Sequence, residues 1–152
     1  MSEIALAGPE ETARFGAAIA AVLRPGDAIL LFGPLGAGKS TLARGLVRAL
    51  TTPDEEVPSP TFTLVQIYQG AAFDIAHFDL YRLKSTAELV ELGLDEALDT
   101  GAAIIEWPER LGDDLPPDRL EVRLLQDGEG RRAALQRFGT WAARALESGE
   151  RS

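Results

Sequence analysis

The sequence predicts a three-layer α/β domain in which antiparallel hairpins are added to a central mixed sheet. An apolar strand, a glycine-rich loop and an amphipathic helix follow one another over residues 28–50. Two later pairs of segments have the residue types and turns of β-hairpins. Helical patterns separate these units, and the chain has 152 residues. This length predicts a single domain, residues 1–152.

The first half of the chain contains the strand, loop and helix. Residues 9–23 are predicted to form a helix, because Pro9 suits a first turn and two acidic residues follow it. Ala28–Phe32 is a continuous apolar run of strand length, which is typical of a strand buried on both faces. Lys39–Leu50 has apolar residues at helical spacing. The polar, proline-containing residues 51–60 are predicted to form a surface loop.

The second half predicts two hairpins, three helices and one more buried strand. Two short helices should occupy residues 85–98, with Ser85 as a cap and a break at Gly93. The strand Ala102–Ile105 follows, and a closing helix is predicted over residues 140–148. The hairpin strands are Phe62–Tyr68 with Phe73–Tyr81, and Leu120–Leu125 with Arg131–Phe138.

Composition excludes several classes of protein. Apolar residues make up 45% of the chain and charged residues 26%, as in globular domains rather than disordered ones. The absence of cysteine excludes disulfides, zinc–thiolate sites and a thiol nucleophile. No apolar run reaches the length of a membrane span, and the acidic N-terminus is unlike a secretory signal. We therefore expect a cytoplasmic protein without a membrane partner.

The net charge of −9 is unevenly distributed. Residues 85–129 hold 13 acidic residues and three arginines. No basic stripe of the kind that binds nucleic acid directly is visible, so any link to nucleic acid should run through a partner protein. The acidic segment is interpreted either as a solvated surface or as a docking face for a basic partner.

Residues 33–40 match the phosphate-loop pattern G-x-x-x-x-G-K-[ST] in full. The three glycines leave room for backbone N–H groups to surround a triphosphate, and the helix that follows adds the positive end of its dipole. Lys39 places an ammonium group against the β and γ phosphates, and the Ser40 hydroxyl is a ligand for Mg²⁺. The preceding apolar strand and the following helix make a chance match improbable.

Two acidic residues are candidates for holding the metal ion or orienting water. Glu106 ends the apolar strand, which is the position of a second Mg²⁺-binding acid in phosphate-loop enzymes. Asp79 alternates with His77 on one face of a predicted strand. Each acid could instead be an exposed strand residue, and the sequence does not decide which acid has which role. Trp107 is interpreted either as a cover for the site or as core packing.

The loop before the first hairpin contains Thr61, in the region where switch GTPases place a threonine that senses Mg²⁺ and the γ-phosphate. A simple turn is an equally good interpretation. Guanine specificity is not indicated, because the chain has no N-K-x-D signature. The segment 127–130 fits D-x-x-G, but its place in a late hairpin turn argues against that role.

Taken together, these segments resemble the TsaE (YjeE) family of bacterial ATPases. The matching segments are GPLGAGKST (33–41), SPTFTL (59–64), HFDLYRL (77–83), ELGLDEAL (91–98) and IEWPE (105–109). They occur in the family's order. The phosphate loop is common to many families, whereas the later segments in this combination are far more specific.

The resemblance implies a P-loop NTPase fold, ATP hydrolysis with Mg²⁺ and a cytoplasmic setting. It also implies a role in making N6-threonylcarbamoyladenosine (t6A) at position 37 of tRNA. Members of the family act through the complex of TsaB and TsaD, which their ATP cycle resets between turnovers, so tRNA is contacted only indirectly.

The resemblance also implies roles for residues of this chain. The phosphate loop carries over as Gly36, Ala37, Gly38, Lys39, Ser40 and Thr41 around the phosphates, with Ser40 as a metal ligand. Thr61, Asp79, Glu106 and Trp107 match the family's functional positions. Thr12 and Arg131 fall where members contact nucleotide.

Two other functions remain open at this stage. A small-molecule kinase would use the same phosphate loop but needs an arginine-bearing lid, for which Arg110, Arg119 and Arg123 are available. A nucleotide-sensing adaptor would bind ATP and scarcely cleave it.

Overall fold

The computed structural model describes residues 2–60 and 63–146. Its strands are β1 (Ser2–Leu6), β2 (Ala28–Phe32), β3 (Val65–Gln69), β4 (Asp74–Asp79), β5 (Ala102–Glu106), β6 (Arg119–Asp127) and β7 (Gly130–Phe138). Its helices are α1 (Pro9–Val22), α2 (Lys39–Leu50), α3 (Thr86–Leu92) and α4 (Leu94–Thr100). Short 3₁₀ turns occupy Pro108–Leu111 and Gly139–Ala143.

The strands form one mixed sheet in the order β1-β7-β6-β2-β5-β4-β3. The central strands β6, β2, β5 and β4 are parallel. The outer pairs β3–β4, β6–β7 and β1–β7 are antiparallel. The predicted mixed sheet with added hairpins is therefore confirmed. The carboxyl ends of β2, β5 and β4 lie side by side at one edge, where α/β sheets usually bind ligands.

Helices cover both faces of the sheet, which gives the three predicted layers. One core, which contains Ile29, Leu31 and Ile104, packs against α1 and α2. The other, which contains Leu30, Phe78 and Ile105, packs against α3 and α4. In the described part of the chain, no helix is long and apolar enough to cross a membrane.

The helices α1 and α2 approach so closely that two glycines are needed at their contact. A Cβ atom at Gly16 would collide with the backbone carbonyl of Leu42, and one at Gly45 would collide with that of Ala13. This contact joins the helix that follows the phosphate loop to the helix that begins at Pro9. Both helices therefore keep a fixed position beside the carboxyl edge of the sheet.

Most predicted elements are confirmed, with small changes at their ends. The strand Ala28–Phe32 and the helix Lys39–Leu50 have the predicted bounds, and α1 ends one residue early. The two short helices break at Gly93 as expected. The Ser85 hydroxyl accepts a hydrogen bond from the backbone N–H of Glu88.

The predicted closing helix over residues 140–148 is wrong where the structure describes it. A 3₁₀ turn ends at Ala143, and Arg144 has an extended backbone with φ −96° and ψ 127°. Its guanidinium group pairs with both oxygens of buried Asp27, at 2.5 and 3.1 Å. Packing of Trp141 into the core and this ion pair prevail over the helix propensity of the segment.

Candidate functional site

A cleft of about 400 Å³ lies at the carboxyl edge of the parallel strands. Pockets for nucleotide-sized ligands usually measure roughly 300–1,000 Å³, so the volume suits such a ligand. Six chain segments line the cleft: Gly8, Pro9 and Thr12; Leu35, Gly36, Gly38, Lys39, Ser40 and Thr41; Ser59; Asp79; Glu106 and Trp107; and Glu129, Gly130 and Arg131.

The glycine-rich loop has the backbone that the phosphate-loop pattern predicts. Gly36 and Gly38 have φ values of 80° and 103°, in the region that residues with a Cβ rarely adopt. Gly38 is also the N-cap of α2, and no side chain caps this helix end. The first N–H groups of a helix have no partner within the helix. The amides at the start of α2 are therefore available to an anion in the cleft.

Lys39 carries a buried positive charge at the same place. The residue is 5% exposed, and its Nζ atom has no hydrogen-bond partner among the residues that the structure describes. The ammonium lies 4.1 Å from the centroid of the Trp107 ring, a cation–π distance. Leaving a buried ammonium without a hydrogen-bonding partner is costly. The arrangement is therefore one that an anionic ligand would complete.

Two buried carboxylates lie side by side at the ends of neighbouring strands. Asp79 and Glu106 are register partners on β4 and β5, and each is 4% exposed. Asp79 Oδ1 accepts a hydrogen bond of 3.0 Å from the backbone N–H of Tyr81. Glu106 Oε2 lies 2.6 Å from His77 Nε2. The alternative in which these acids are exposed strand residues is wrong, because both are buried and line the cleft.

Trp107 both covers the site and packs against the core, so its two interpretations are combined. The residue has φ 57° and ψ 49°, a conformation that is rare for a bulky side chain. Its ring lines the cleft and contacts the ring of Tyr81, with 4.8 Å between their centroids. It also packs against the apolar layer around Phe78. The strained backbone places the indole over Lys39.

Thr12 and Arg131 both lie next to the phosphate loop. The Thr12 hydroxyl donates to the carbonyl of Gly8, and its methyl group lies beside Gly38. The Arg131 guanidinium donates to the carbonyls of Gly36, at 2.9 Å, and Ala37, at 3.2 Å. Arg131 therefore braces the loop from the β6–β7 turn while also lining the cleft.

The structure brings together most of the residues that the sequence analysis selected. Ala37 is the exception: its side chain is buried in the core, and only its backbone takes part in the loop. Thr61 lies outside the described residues. The sequence analysis missed six lining residues that flank selected ones, namely Gly8, Pro9, Leu35, Ser59, Glu129 and Gly130. Proximity to Arg131 is the only sequence signal for Glu129.

The donor set suits Mg²⁺ bound together with phosphate. Among the described residues, no group of three or more His, Cys, Asp or Glu side chains could hold a metal ion by itself. The cleft instead offers the Ser40 hydroxyl and the carboxylates of Asp79 and Glu106. Mg²⁺ is commonly held by one or two carboxylates plus phosphate oxygens, so these residues fit the ion when a phosphorylated ligand shares the site.

The arginines considered for a kinase lid do not line the cleft. Arg119 pairs with Glu121 at 2.8 Å and covers the ring of Phe138. Arg123 covers the ring of Phe32. In the described residues, these two side chains are engaged along the sheet and do not form a lid.

Comparison with known proteins assigns the family. A family model described as "Threonylcarbamoyl adenosine biosynthesis protein TsaE" matches residues 6–134, which include every residue that lines the cleft. The chain belongs to the TsaE family. The resemblance noted in the sequence is thereby confirmed.

Curated TsaE relatives match over most of their length and of this chain. The protein of Rickettsia bellii is 43% identical over 123 residues, which are 81% of this chain and 85% of the relative. The protein of Bacillus subtilis is 36% identical over 125 residues, 82% of this chain and 77% of the relative. Both are named tRNA threonylcarbamoyladenosine biosynthesis proteins.

A solved structure agrees with the fold. The crystal structure of YdiB from Bacillus subtilis superposes with a TM-score of 0.76 at 30% identity. The match covers 91% of this chain and 88% of that one. The predicted α/β fold is confirmed at the level of the whole domain.

Proposed function

We propose that this TsaE-family chain is a Mg²⁺-dependent ATPase that serves the t6A modification at position 37 of tRNA. In this proposal it works in the cytoplasm through the TsaB–TsaD complex and resets that complex between turnovers. Two observations support the pathway: the match to the TsaE family model and the names of the curated relatives. The ATPase activity is proposed from the residues that line the cleft.

One observation carries the ATPase proposal: the buried Lys39 Nζ atom without a partner among the described residues, beside the uncapped start of α2. A triphosphate would supply the oxygens that this ammonium lacks, and it would accept hydrogen bonds from the loop amides. Two other parts of the cleft lining would contact the nucleoside. They are the first turn of α1, which contains Thr12, and the β6–β7 turn, which is next to Arg131.

The residues at the carboxyl edge would divide the chemistry among them. Lys39 and the loop amides stabilise the charge that develops on the phosphate oxygens. Ser40, with Asp79 or Glu106, would hold Mg²⁺, which neutralises phosphate charge when bound. The other carboxylate orients the attacking water. Trp107 shields the ammonium from solvent, which strengthens its interaction with phosphate.

The proposed contact with TsaB–TsaD has a candidate surface next to α3 and α4, which cover the sheet face opposite α1 and α2. A groove of about 700 Å³ lies between α3–α4 and residues 114–117. Leu94 and Leu98 contribute to its apolar lining, and Asp95 and Glu96 are exposed acids at the same groove. This chemistry suits a partner segment that presents an apolar side chain between basic ones. The acidic segment is not one face, however, since Glu106 is buried in the cleft.

Charge reversal tests this surface. The double variant Asp95→Lys, Glu96→Lys should weaken binding to TsaB–TsaD and reduce the salt dependence of that binding. Glu3→Lys, which reverses an exposed charge on β1, is the matched control. Unchanged affinity and unchanged salt dependence in the double variant would remove the surface from the proposal.

The function as a whole is tested by reconstitution. Phosphate release from ATP is measured with and without TsaB–TsaD, and t6A formation is measured with this chain added or omitted. We expect slow hydrolysis that the partners stimulate, and repeated rounds of modification only when the chain is present. Transfer of labelled phosphate to a metabolite would indicate a kinase. Binding of ATP without phosphate release, even with the partners, would indicate an adaptor.

A further inference from the structure

We propose that His77 is a positioning residue for Glu106. It forms a hydrogen bond with one carboxylate oxygen of Glu106 on the side away from the cleft, so that the other oxygen is available to a ligand in the cleft. The inference rests on the proposed function, because it assigns a task to a carboxylate of the proposed site. It concerns a residue that is not itself in contact with the cleft.

The hydrogen bond between the two side chains is short and buried. His77 Nε2 and Glu106 Oε2 lie 2.6 Å apart, and the side chains are 1% and 5% exposed. A carboxylate accepts hydrogen bonds and does not donate them, so when Glu106 is ionised the Nε2 atom carries the proton and donates it. Among the described residues, this is the hydrogen bond that the Glu106 carboxylate makes. Its orientation therefore depends on one donor.

The two residues differ in their access to the cleft. Glu106 lines it, whereas His77 does not. His77 pairs in register with Ile104 on β5, one step further from the carboxyl edge than Glu106 on the same face of that strand. The carboxylate is therefore turned back along the strand by its Oε2 bond. Oε1 is left as the oxygen that a ligand in the cleft can use.

A purely structural role would not explain why histidine occupies this position. The Nδ1 atom of the ring is buried and has no partner within the described residues. An apolar side chain would fill the same space without leaving a polar atom unsatisfied, which is costly in a core. Among the described residues, only the Nε2 atom of the ring has a hydrogen-bond partner, and that partner is Glu106. Groups that orient a metal-binding side chain typically change metal affinity or activity by roughly 10–100-fold when removed.

The pairing can be observed directly, because His77 is the only histidine of the chain. Its imidazole N–H gives a single NMR signal that needs no assignment. We expect a downfield Nε2–H signal that is protected from exchange and moves upfield in Glu106→Gln, where a neutral oxygen replaces the carboxylate. Glu129→Gln, at the exposed side of the cleft, should leave the signal in place. A missing signal, or the same shift in Glu106→Gln, would overturn the pairing.

The positioning role is tested by calorimetry of ADP binding at increasing Mg²⁺ concentrations. The quantity compared is the Mg²⁺ concentration that gives half of the full increase in ADP affinity. His77→Leu should raise this concentration roughly 10-fold or more, while ADP affinity without Mg²⁺ stays within about twofold. His77→Gln, whose amide nitrogen can also donate to Glu106, should recover most of the loss. Ile75→Val, one step back on the same face of β4, is the packing control.

Two outcomes would contradict the proposal. One is an unchanged Mg²⁺ dependence in His77→Leu. The other is a His77→Gln variant as impaired as His77→Leu although both melt near the wild-type temperature. The failure of the ATPase proposal looks different: the wild type would release no phosphate with TsaB–TsaD present, while the NMR and calorimetric results would still decide the role of His77.

Discussion

Lys39 gives the sharpest prediction, because one substitution should move two measurements in opposite senses. Its ammonium is buried and lacks a hydrogen-bond partner among the described residues, so it costs stability in the absence of ligand. Its contact with the Trp107 ring, at 4.1 Å, offsets only part of that cost. Lys39→Met removes the charge and nearly keeps the volume. The ligand-free protein should therefore melt at the wild-type temperature or above it.

Nucleotide binding should change the other way. A buried contact between an ammonium and phosphate is worth a few kcal/mol, which corresponds to roughly 100-fold in affinity or rate. At an ATP concentration of about 100 times the wild-type Kd, ligand binding stabilises the wild type by about 2.7 kcal/mol. The same concentration stabilises a 100-fold weaker variant by only about 0.4 kcal/mol. For a domain of this size the thermal shift should fall from roughly 5–10 °C to about 1 °C.

The assay is a melting curve with and without Mg²⁺ and ATP, followed by a phosphate-release measurement. Lys84→Met is the matched control, since Lys84 is the only other lysine and is exposed. It should keep both the shift and the hydrolysis. If Lys39→Met retained the full thermal shift, or if its ligand-free form were strongly destabilised, the interpretation of this ammonium as an anion site would be refuted.

Three further predictions concern packing and buried charge. Gly45→Ala should lower the free energy of unfolding in urea by about 1–3 kcal/mol, because the added methyl group collides with the Ala13 carbonyl; a gain in stability would contradict the close helix contact. Arg144→Met should cost about 3–5 kcal/mol by leaving the Asp27 carboxylate buried without its partner. A loss below 1 kcal/mol in the same urea titration would show that this ion pair does not anchor the segment. Burial raises the pKa of Tyr68 above 10, and the charge of Glu55 raises it further. The free energy of unfolding should therefore fall as the pH rises from about 10 through that raised pKa. Tyr68→Phe should lose less stability than the wild type over this range, and equal losses would exclude the effect.

The parts of the fold that the sequence predicts best are those specified by local pattern. The apolar run of β2 and the spacing of α2 fix both elements and the loop between them. The strand β1 was not predicted, because five residues at a sheet edge give too short an alternation to recognise. The segment after Gly139 has helical composition, but the burial of Trp141 and the pairing of Arg144 with Asp27 decide its conformation. Those contacts join distant parts of the chain.

The site shows the same division between local and distant information. The phosphate loop is contiguous, so a pattern search finds Gly36 and Lys39. Glu106 and His77 come 29 positions apart, and their bond exists because β4 and β5 pair in one particular register. A shift of one residue would turn one of the two side chains to the opposite face of the sheet. The sequence predicts His77 and Glu106 as polar residues on strands. Only the pairing of the two strands brings His77 into hydrogen-bond contact with Glu106. The chemistry of the cleft therefore depends on strand register as much as on the phosphate loop.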